Sequence, residues 1–250
     1  MKNKLKKPAL AAGSIVFWII LWHIFASIVN KELLLKIPLP HETFLAFIDN
    51  LPKASFWAAV GTSLFHVAFG FLAAVLFGTL FGIAAAYSSI FKNLSAPIIH
   101  LIRSVPVAAF IVVAWLWLPT EVLPPFISFL MVFPIIKSHV DAGLLAVDKR
   151  LVEMAEVFGM DKRGILLNVK IPTVLPFLRE AAITGLGIAW KSGIAAEVIC
   201  NPLGSLGALL SGAKLTIDYE QVFAVTLTVV ILSLILENIL KICWKERKYD

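Results

Sequence analysis

From Val60 to Tyr87 the chain carries no Asp, Glu, Lys or Arg. Crossing a hydrocarbon core about 30 Å thick takes roughly 20 helical residues, so this run is longer than a single span needs. A helix apolar on every side cannot present a wet face, and a soluble fold has nowhere to put it. Four more blocks have the same character: Pro8–Val29, Ser95–Leu118, Val174–Ile199 and Val222–Cys243. A sixth, Val122–Ile136, is shorter and is interrupted by Pro124, Pro125 and Pro134, which neighbouring helices must compensate. The composition agrees, with 250 residues that are 60% hydrophobic and only 15% charged, and a mean hydropathy of +0.91. The expected fold is an all-α membrane protein with six transmembrane helices. Its organisation reads as a basic tail over 1–7, a first helix over 8–29, an external loop over 30–59, a transmembrane core over 60–243 and a tail over 244–250. That core contains a polar cytoplasmic loop over 137–173.

The formal charge of +6 would point to nucleic acid in a soluble protein, but here its distribution decides its meaning. Six spans place Lys2, Lys4, Lys6, Lys7, Lys92, Lys137, Lys149, Arg150, Lys162, Arg163, Lys170, Lys241, Lys245, Arg247 and Lys248 on one side. Only Lys31, Lys36, Lys53 and Lys214 fall on the other. Cationic loops stay in the cytoplasm, so both termini are expected inside and no nucleic-acid partner is implied. The first block is longer than the apolar core of a secretory signal and no small-x-small cleavage site follows, so it reads as a retained helix. Cys200 and Cys243 then lie near opposite membrane faces and cannot pair. His23, His41, His66, His100 and His139 show no ligand spacing, and no metal site is expected.

Within LPHETFLAFIDNL, Phe44, Phe47, Ile48 and Leu51 recur at helical spacing, as in a short helix lying on the outer membrane surface. The second block carries Gly70, Ala74, Gly78, Gly82 and Ala86 four residues apart, a ladder that lets another helix approach closely within the same subunit. The fifth block repeats the device with Ala181, Gly185, Ala189 and Gly193, and Glu197 continues the row. Charges inside spans are costly. Arg103 and Arg179 lie near the cytoplasmic boundary and are expected to snorkel. Lys191 lies about 25 Å along its helix at about 1.5 Å per residue, in the outer part of the bilayer. Glu197 lies about 120° away around the helix, so the two are not a helical pair. Both Lys191 and Glu197 are candidates to line a translocation path.

The largest interruption of the apolar pattern is EMAEVFGMDKRGILLNVKIP, Glu153 to Pro172. Lys149–Phe158 reads as a short amphipathic helix, and Gly159 can take the left-handed conformation that ends it. Asp161 is placed to cap a second short helix through Lys170, with Pro172 at the foot of the fifth span. The result is a helix–turn–helix elbow. Leu151, Val152, Phe158, Ile165 and Leu166 are more apolar than a solvated loop requires, so part of the elbow should bury against something.

These residues resemble the inner-membrane permeases of binding-protein-dependent ABC importers. The family signature is EAA, three residues, glycine, and a proline thirteen residues later; Glu153, Ala155, Gly159 and Pro172 meet it, with Met154 at the middle alanine. The resemblance runs from about Pro38 to Lys241 and is most like the nitrate, sulfonate and taurine type, through IPLPHETF, TSLFHVAFGF, LIRSVPVAAF, FPIIKSHVDAG, AWKSGIAAEV and PLGSLGALL. WLWLPTEV and GSLG depart from the usual pattern near the outer face, where they bear on the solute. The resemblance implies the MetI-like ABC importer permease fold, with a coupling elbow built on Glu153, Ala155, Gly159, Asp161 and Pro172 that docks into an ATPase subunit. It also implies a second permease copy in a homodimer, an ATPase dimer that binds MgATP, and an extracytoplasmic solute-binding protein. The expected location is a bacterial or archaeal cytoplasmic membrane, and the expected cargo is a small solute such as nitrate, a sulfonate or taurine. The chain itself would hold no cofactor and catalyse no reaction.

Rival motifs are weaker. GLGIAWKS imitates a phosphate-binding loop but has Trp190 where a glycine should precede Lys191, and it lies in an apolar span. Ser205 in PLGSLG would be the nucleophile of an intramembrane protease, yet Leu203 occupies the glycine position two before it and no histidine follows. An ion-coupled secondary transporter working without an ATPase remains the alternative. It predicts matching interrupted helices in two halves, and the glycine ladders are not placed symmetrically.

Overall fold

The computed structural model describes residues 2–32 and 36–243, with side chains over 13–31 and 36–242. Lys245, Arg247, Lys248 and the side chain of Cys243, all used above, lie outside the described residues. Eleven α-helices in chain order are α1 (Lys2–Glu32), α2 (Pro40–Asn50), α3 (Ala54–Tyr87), α4 (Ser89–Ser104), α5 (Val107–Trp115), α6 (Leu123–Leu145), α7 (Lys149–Val157), α8 (Lys162–Ile165), α9 (Ile171–Cys200), α10 (Leu206–Leu215) and α11 (Tyr219–Cys243). No strand occurs among the described residues. Five helices are long and apolar enough to cross a bilayer, and six spans result if α4 and α5 are taken together. The basic residues from Lys2 onward belong to α1 rather than to a separate tail.

The third span is not the straight helix expected over Ser95–Leu118. α4 and α5 meet at 103°. Pro106 has no N–H to continue the ladder and forces the residue before it out of the helical region; Val105 is extended, with φ −85° and ψ 132°. Arg103, expected to snorkel, instead donates from Nη2 to the Pro134 carbonyl at 3.0 Å and to Ser138 Oγ at 2.8 Å, tying the end of α4 to α6.

The proline-rich block is also corrected, in the opposite direction. Pro124 and Pro125 stand in the first turn of α6, where a missing N–H costs no intrahelical bond. The helix then runs through Pro134 to Leu145. Lys137 and Asp141 are therefore helical and buried, not part of a loop over 137–173. They can be buried because they are mutually neutralised: Asp141 Oδ2 lies 3.1 Å from Lys92 Nζ and 3.8 Å from Lys137 Nζ.

α6 is the central helix, 56% buried over its apolar window against 6% for α1. A short and polar-tipped apolar run suffices there because other helices, not lipid, surround it. Both glycine ladders face it. A methyl at Gly70 would collide with the Pro125 carbonyl; at Gly78 it would lie 2.8 Å from Ile136 Cβ, and at Gly82 2.7 Å from Val140 Cβ. On the other side a methyl at Gly185 would lie 2.9 Å from Val132 Cγ1. The ladders thus serve packing within the chain, as expected.

The short helix expected within LPHETFLAFIDNL forms as α2. Glu42 Oε2 accepts from Leu39 N at 2.8 Å, closing the first turn of α2. Asn50 and Gln221 exchange two side-chain hydrogen bonds of 3.0 and 3.1 Å, and Lys36 pairs with Glu220, fixing α2 against the start of α11.

Candidate functional site: the elbow and the open face of α9

α7 starts at Asp148, whose side chain accepts from Arg150 N at 2.8 Å. It ends in a Schellman arrangement: Gly159 N donates to Glu156 O and Met160 N to Ala155 O, both at 2.9 Å. Gly159 has φ +77°, so the left-handed turn expected of it is present. Asp161 Oδ1 then accepts from Gly164 N at 2.9 Å and caps α8, also as expected.

The second arm of the elbow does not stop at Lys170. Leu166–Lys170 forms a π-helical turn, with Ile171 N bonded to Leu166 O, and Lys162–Cys200 is one continuous helix. Pro172 cannot donate to the ordinary partner four residues back, and the wider turn absorbs the missing bond and the ring. Pro172 is thus inside a helix and not at its foot. The consequence is mechanical: the turn at Asp161 is rigidly joined to α9.

Only part of the elbow finds cover within the chain. Ala155 and Ile165 are buried, whereas Leu151, Met154, Val157, Phe158 and Leu166 are exposed, with Val157 at 86% and Phe158 at 81%. Glu153 is exposed beside them.

Higher on α9, between Pro176 and Cys200, the exposed side chains are Glu180, Thr184 and Lys191. Their spacing of four and seven puts them on one face. On α3 the corresponding exposed side chains are Phe65, Ala68, Phe69, Leu72, Leu76, Phe77, Leu80 and Phe81, a surface suited to lipid. Lys191 has no ion pair among the described residues. Glu180 and Thr184 do not stand out in the sequence beside the small-residue row on the opposite side; their helical register with Lys191 is the signal that marks them.

Glu197 does not join Lys191. It is fully buried in this conformation, away from the exposed face that carries Lys191. Ser63 Oγ donates to its Oε2 at 2.6 Å, Gly207 N to the same oxygen at 3.1 Å, and His66 Nδ1 lies 2.9 Å from Oε1. Leu206 N donates to Ser63 Oγ at 2.9 Å, and Ala208 N to Ser205 Oγ at 3.1 Å. The first N–H groups of α10 are therefore met by side chains, Gly207 N by a carboxyl oxygen and the others by hydroxyls. Ser205 is the cap of α10, fully buried, and its hydroxyl donates to Pro202 O at 2.9 Å. Its role is structural, and His66 addresses Glu197 instead. Lys191 and Ser192 lie inside a continuous helix, which leaves no loop to cradle a phosphate.

Comparison with known proteins places this geometry. Residues 78–245 match the family described as binding-protein-dependent transport system inner membrane component. The chain is 26% identical over 240 residues to the taurine transport system permease protein TauC of Escherichia coli, covering 93% of this chain and 86% of that protein. It is 25% identical to the bicarbonate transport system permease protein CmpB of Synechococcus elongatus, over 82% of this chain and 77% of the relative. It is 24% identical to the nitrate import permease protein NrtB of Synechocystis, over 80% and 74%. The fold matches a chain of a bacterial ABC transporter involved in alginate import, with a TM-score of 0.60 at 15% identity and 98% coverage of both chains.

Proposed function

We propose that this chain, which belongs to the binding-protein-dependent transport system inner membrane components and is the non-catalytic permease subunit of an ABC importer, conducts a small oxyanion past the polar face of α9. Family membership removes the secondary-transporter alternative. The observation that carries the solute reading is that Glu180, Thr184 and Lys191 are the exposed side chains of α9 between Pro176 and Cys200 and share one face. A charge facing lipid near the bilayer centre costs about 3 kcal/mol on insertion scales, so this face is better placed against water or a second copy. Lys191, in the outer half and without an ion pair among the described residues, supplies an ammonium for an arriving anion. The relatives named for taurine, bicarbonate and nitrate support the same chemistry, since each of those solutes presents an oxyanion.

Two copies of the chain would enclose the path, with an ATPase dimer binding MgATP below and a solute-binding protein outside. Glu153, Ala155, Gly159, Asp161 and Pro172 form the coupling elbow in this reading. The uncovered Leu151, Met154, Val157 and Phe158 support docking of a protein partner there, because an apolar patch of this kind is costly in water. Closure of the ATPases would move the elbow, and the unbroken helix from Lys162 to Cys200 would carry that motion to Lys191.

Lys191→Met should lower uptake of the transported anion by ~10-fold or more, the loss expected for one charged contact, while the assembled complex is recovered in normal amount. Full uptake by this variant rejects Lys191 as a path residue. The orientation proposed, with both termini cytoplasmic, is checked by Asp161→Cys and Asp218→Cys in a background lacking Cys200 and Cys243. An impermeant thiol reagent applied to sealed cells should label only the second variant.

A further inference from the structure

Below Pro176, α9 parts from α3 and α6 and leaves a cleft of about 330 Å³. Its walls are Ile83 of α3, Val140 and Leu144 of α6, and Ile171, Val174 and Leu178 of α9, with Tyr87 and Lys170 at its cytoplasmic end. Lys170 Nζ donates to Tyr87 Oη at 2.9 Å and lies 5.2 Å from the centre of that ring. Beyond this pair a second chamber of about 370 Å³ shares Tyr87, Leu144 and Lys170 and is bounded by Lys149, Val152 and Glu153 of the elbow. At about 100° per residue, Ile171 and Leu178 lie on the opposite side of α9 from Glu180, Thr184 and Lys191, so the cleft is not part of the polar face. Its lining includes the exposed apolar side chains Ile83, Leu166, Leu175 and Ile171, which are suited to hydrocarbon.

We propose that this cleft is a binding site for an anionic phospholipid of the inner leaflet, with an acyl chain between α3, α6 and α9 and the headgroup phosphate on Lys170 and Lys149. The inner-leaflet assignment rests on the orientation given above. The slot is walled by apolar side chains and opens along the exposed Ile83, Ile171 and Leu175, so a flexible chain of methylenes can enter it from the hydrocarbon. Charge selects the headgroup, because Lys170 and Lys149 outnumber the one carboxylate, Glu153, where an apolar slot reaches the cytoplasmic boundary, and basic pockets of that kind recognise anionic headgroups. The site adjoins the elbow through Val152 and Glu153 and the π-helical turn through Lys170, so an occupant would steady the joint between elbow and α9.

The test is native mass spectrometry of the purified full chain after exchange into micelles containing phosphatidylglycerol or phosphatidylcholine. Lys170→Met should retain about five-fold less phosphatidylglycerol, the effect of one lysine at a membrane surface. Lys170→Arg should retain it as the parent does, and phosphatidylcholine retention should be equal in all three. Leu144→Trp, which fills the cleft, should lose both lipids. Equal phosphatidylglycerol retention by the parent and Lys170→Met overturns the site, as does an equal loss of both lipids in Lys170→Met. None of these readings depends on the transported solute, so failure here is distinguishable from failure of the oxyanion proposal.

Discussion

Gly159→Val should abolish ATP-driven uptake while the chain still inserts in the membrane at normal level. The argument is conformational and not steric. A Cβ at Gly159 meets nothing within 4 Å, so there is no clash to relieve. The residue is held at φ +77°, however, where an L side chain costs roughly 1–2 kcal/mol and a β-branched one more. α7 has little else to hold it, since Ala155 is its one buried side chain. The strain would be released by reshaping the elbow, which breaks the bonds from Gly159 N to Glu156 O and from Met160 N to Ala155 O. Asparagine tolerates the left-handed region, so Gly159→Asn should keep most of the activity and Gly159→Ala should fall between. The measurement is uptake and stimulated ATP hydrolysis of the reconstituted complex. Normal coupling in Gly159→Val would remove the turn from the coupling mechanism.

Glu197→Ala should give a large loss of stability, comparable with truncation of the buried Trp190 on the same helix. It strips the acceptor from Ser63 Oγ, His66 Nδ1 and Gly207 N together, inside a site with no exposed surface. Each buried group left unpaired costs about 1–3 kcal/mol, and the truncation takes the partner from several at once. Water cannot easily replace the carboxylate, because Gly207 is so close to the Glu197 backbone that even a methyl there would collide. Ser63→Ala should be milder, since it removes one bridging hydroxyl and leaves the carboxylate on Gly207 N and His66. The double variant should be less damaging than the sum of the singles, as expected for groups in one network. Thermal unfolding of the purified protein, followed by loss of the monodisperse species, reads all three. A midpoint for Glu197→Ala equal to that of the parent would contradict the clamp.

Much of this protein was determined by the sequence alone, and the reason is locality. An uncharged run from Val60 to Tyr87 must be a membrane helix whatever surrounds it, because the cost of burying or wetting it belongs to the run itself. The turn at Gly159 and the cap at Asp161 likewise depend on the conformational freedom and the side-chain oxygen of single residues, and both are present. The glycine ladders announced close packing for the same reason, although not which helix they would meet.

Only the tertiary structure decided what depends on neighbours. Three prolines made α6 look like a broken span, yet two fall in its first turn and the third is carried through, because α3 and α9 enclose the helix. Pro106, one residue in an apparently uniform block, bends the chain by 103°. Glu197 continued the small-residue row, and that row proved to be the enclosed side of α9; its carboxylate became the acceptor for the start of α10, a helix ten residues further along the chain. Lys191 and the overlooked Glu180 and Thr184 share an exposed side of α9 that, among the described residues, α11 approaches through Glu237 at Gly187. A sequence gives the periodicity of a helix face, but whether that face meets protein, lipid or water is set by the three-dimensional placement of other segments, whose packing energies no local pattern contains.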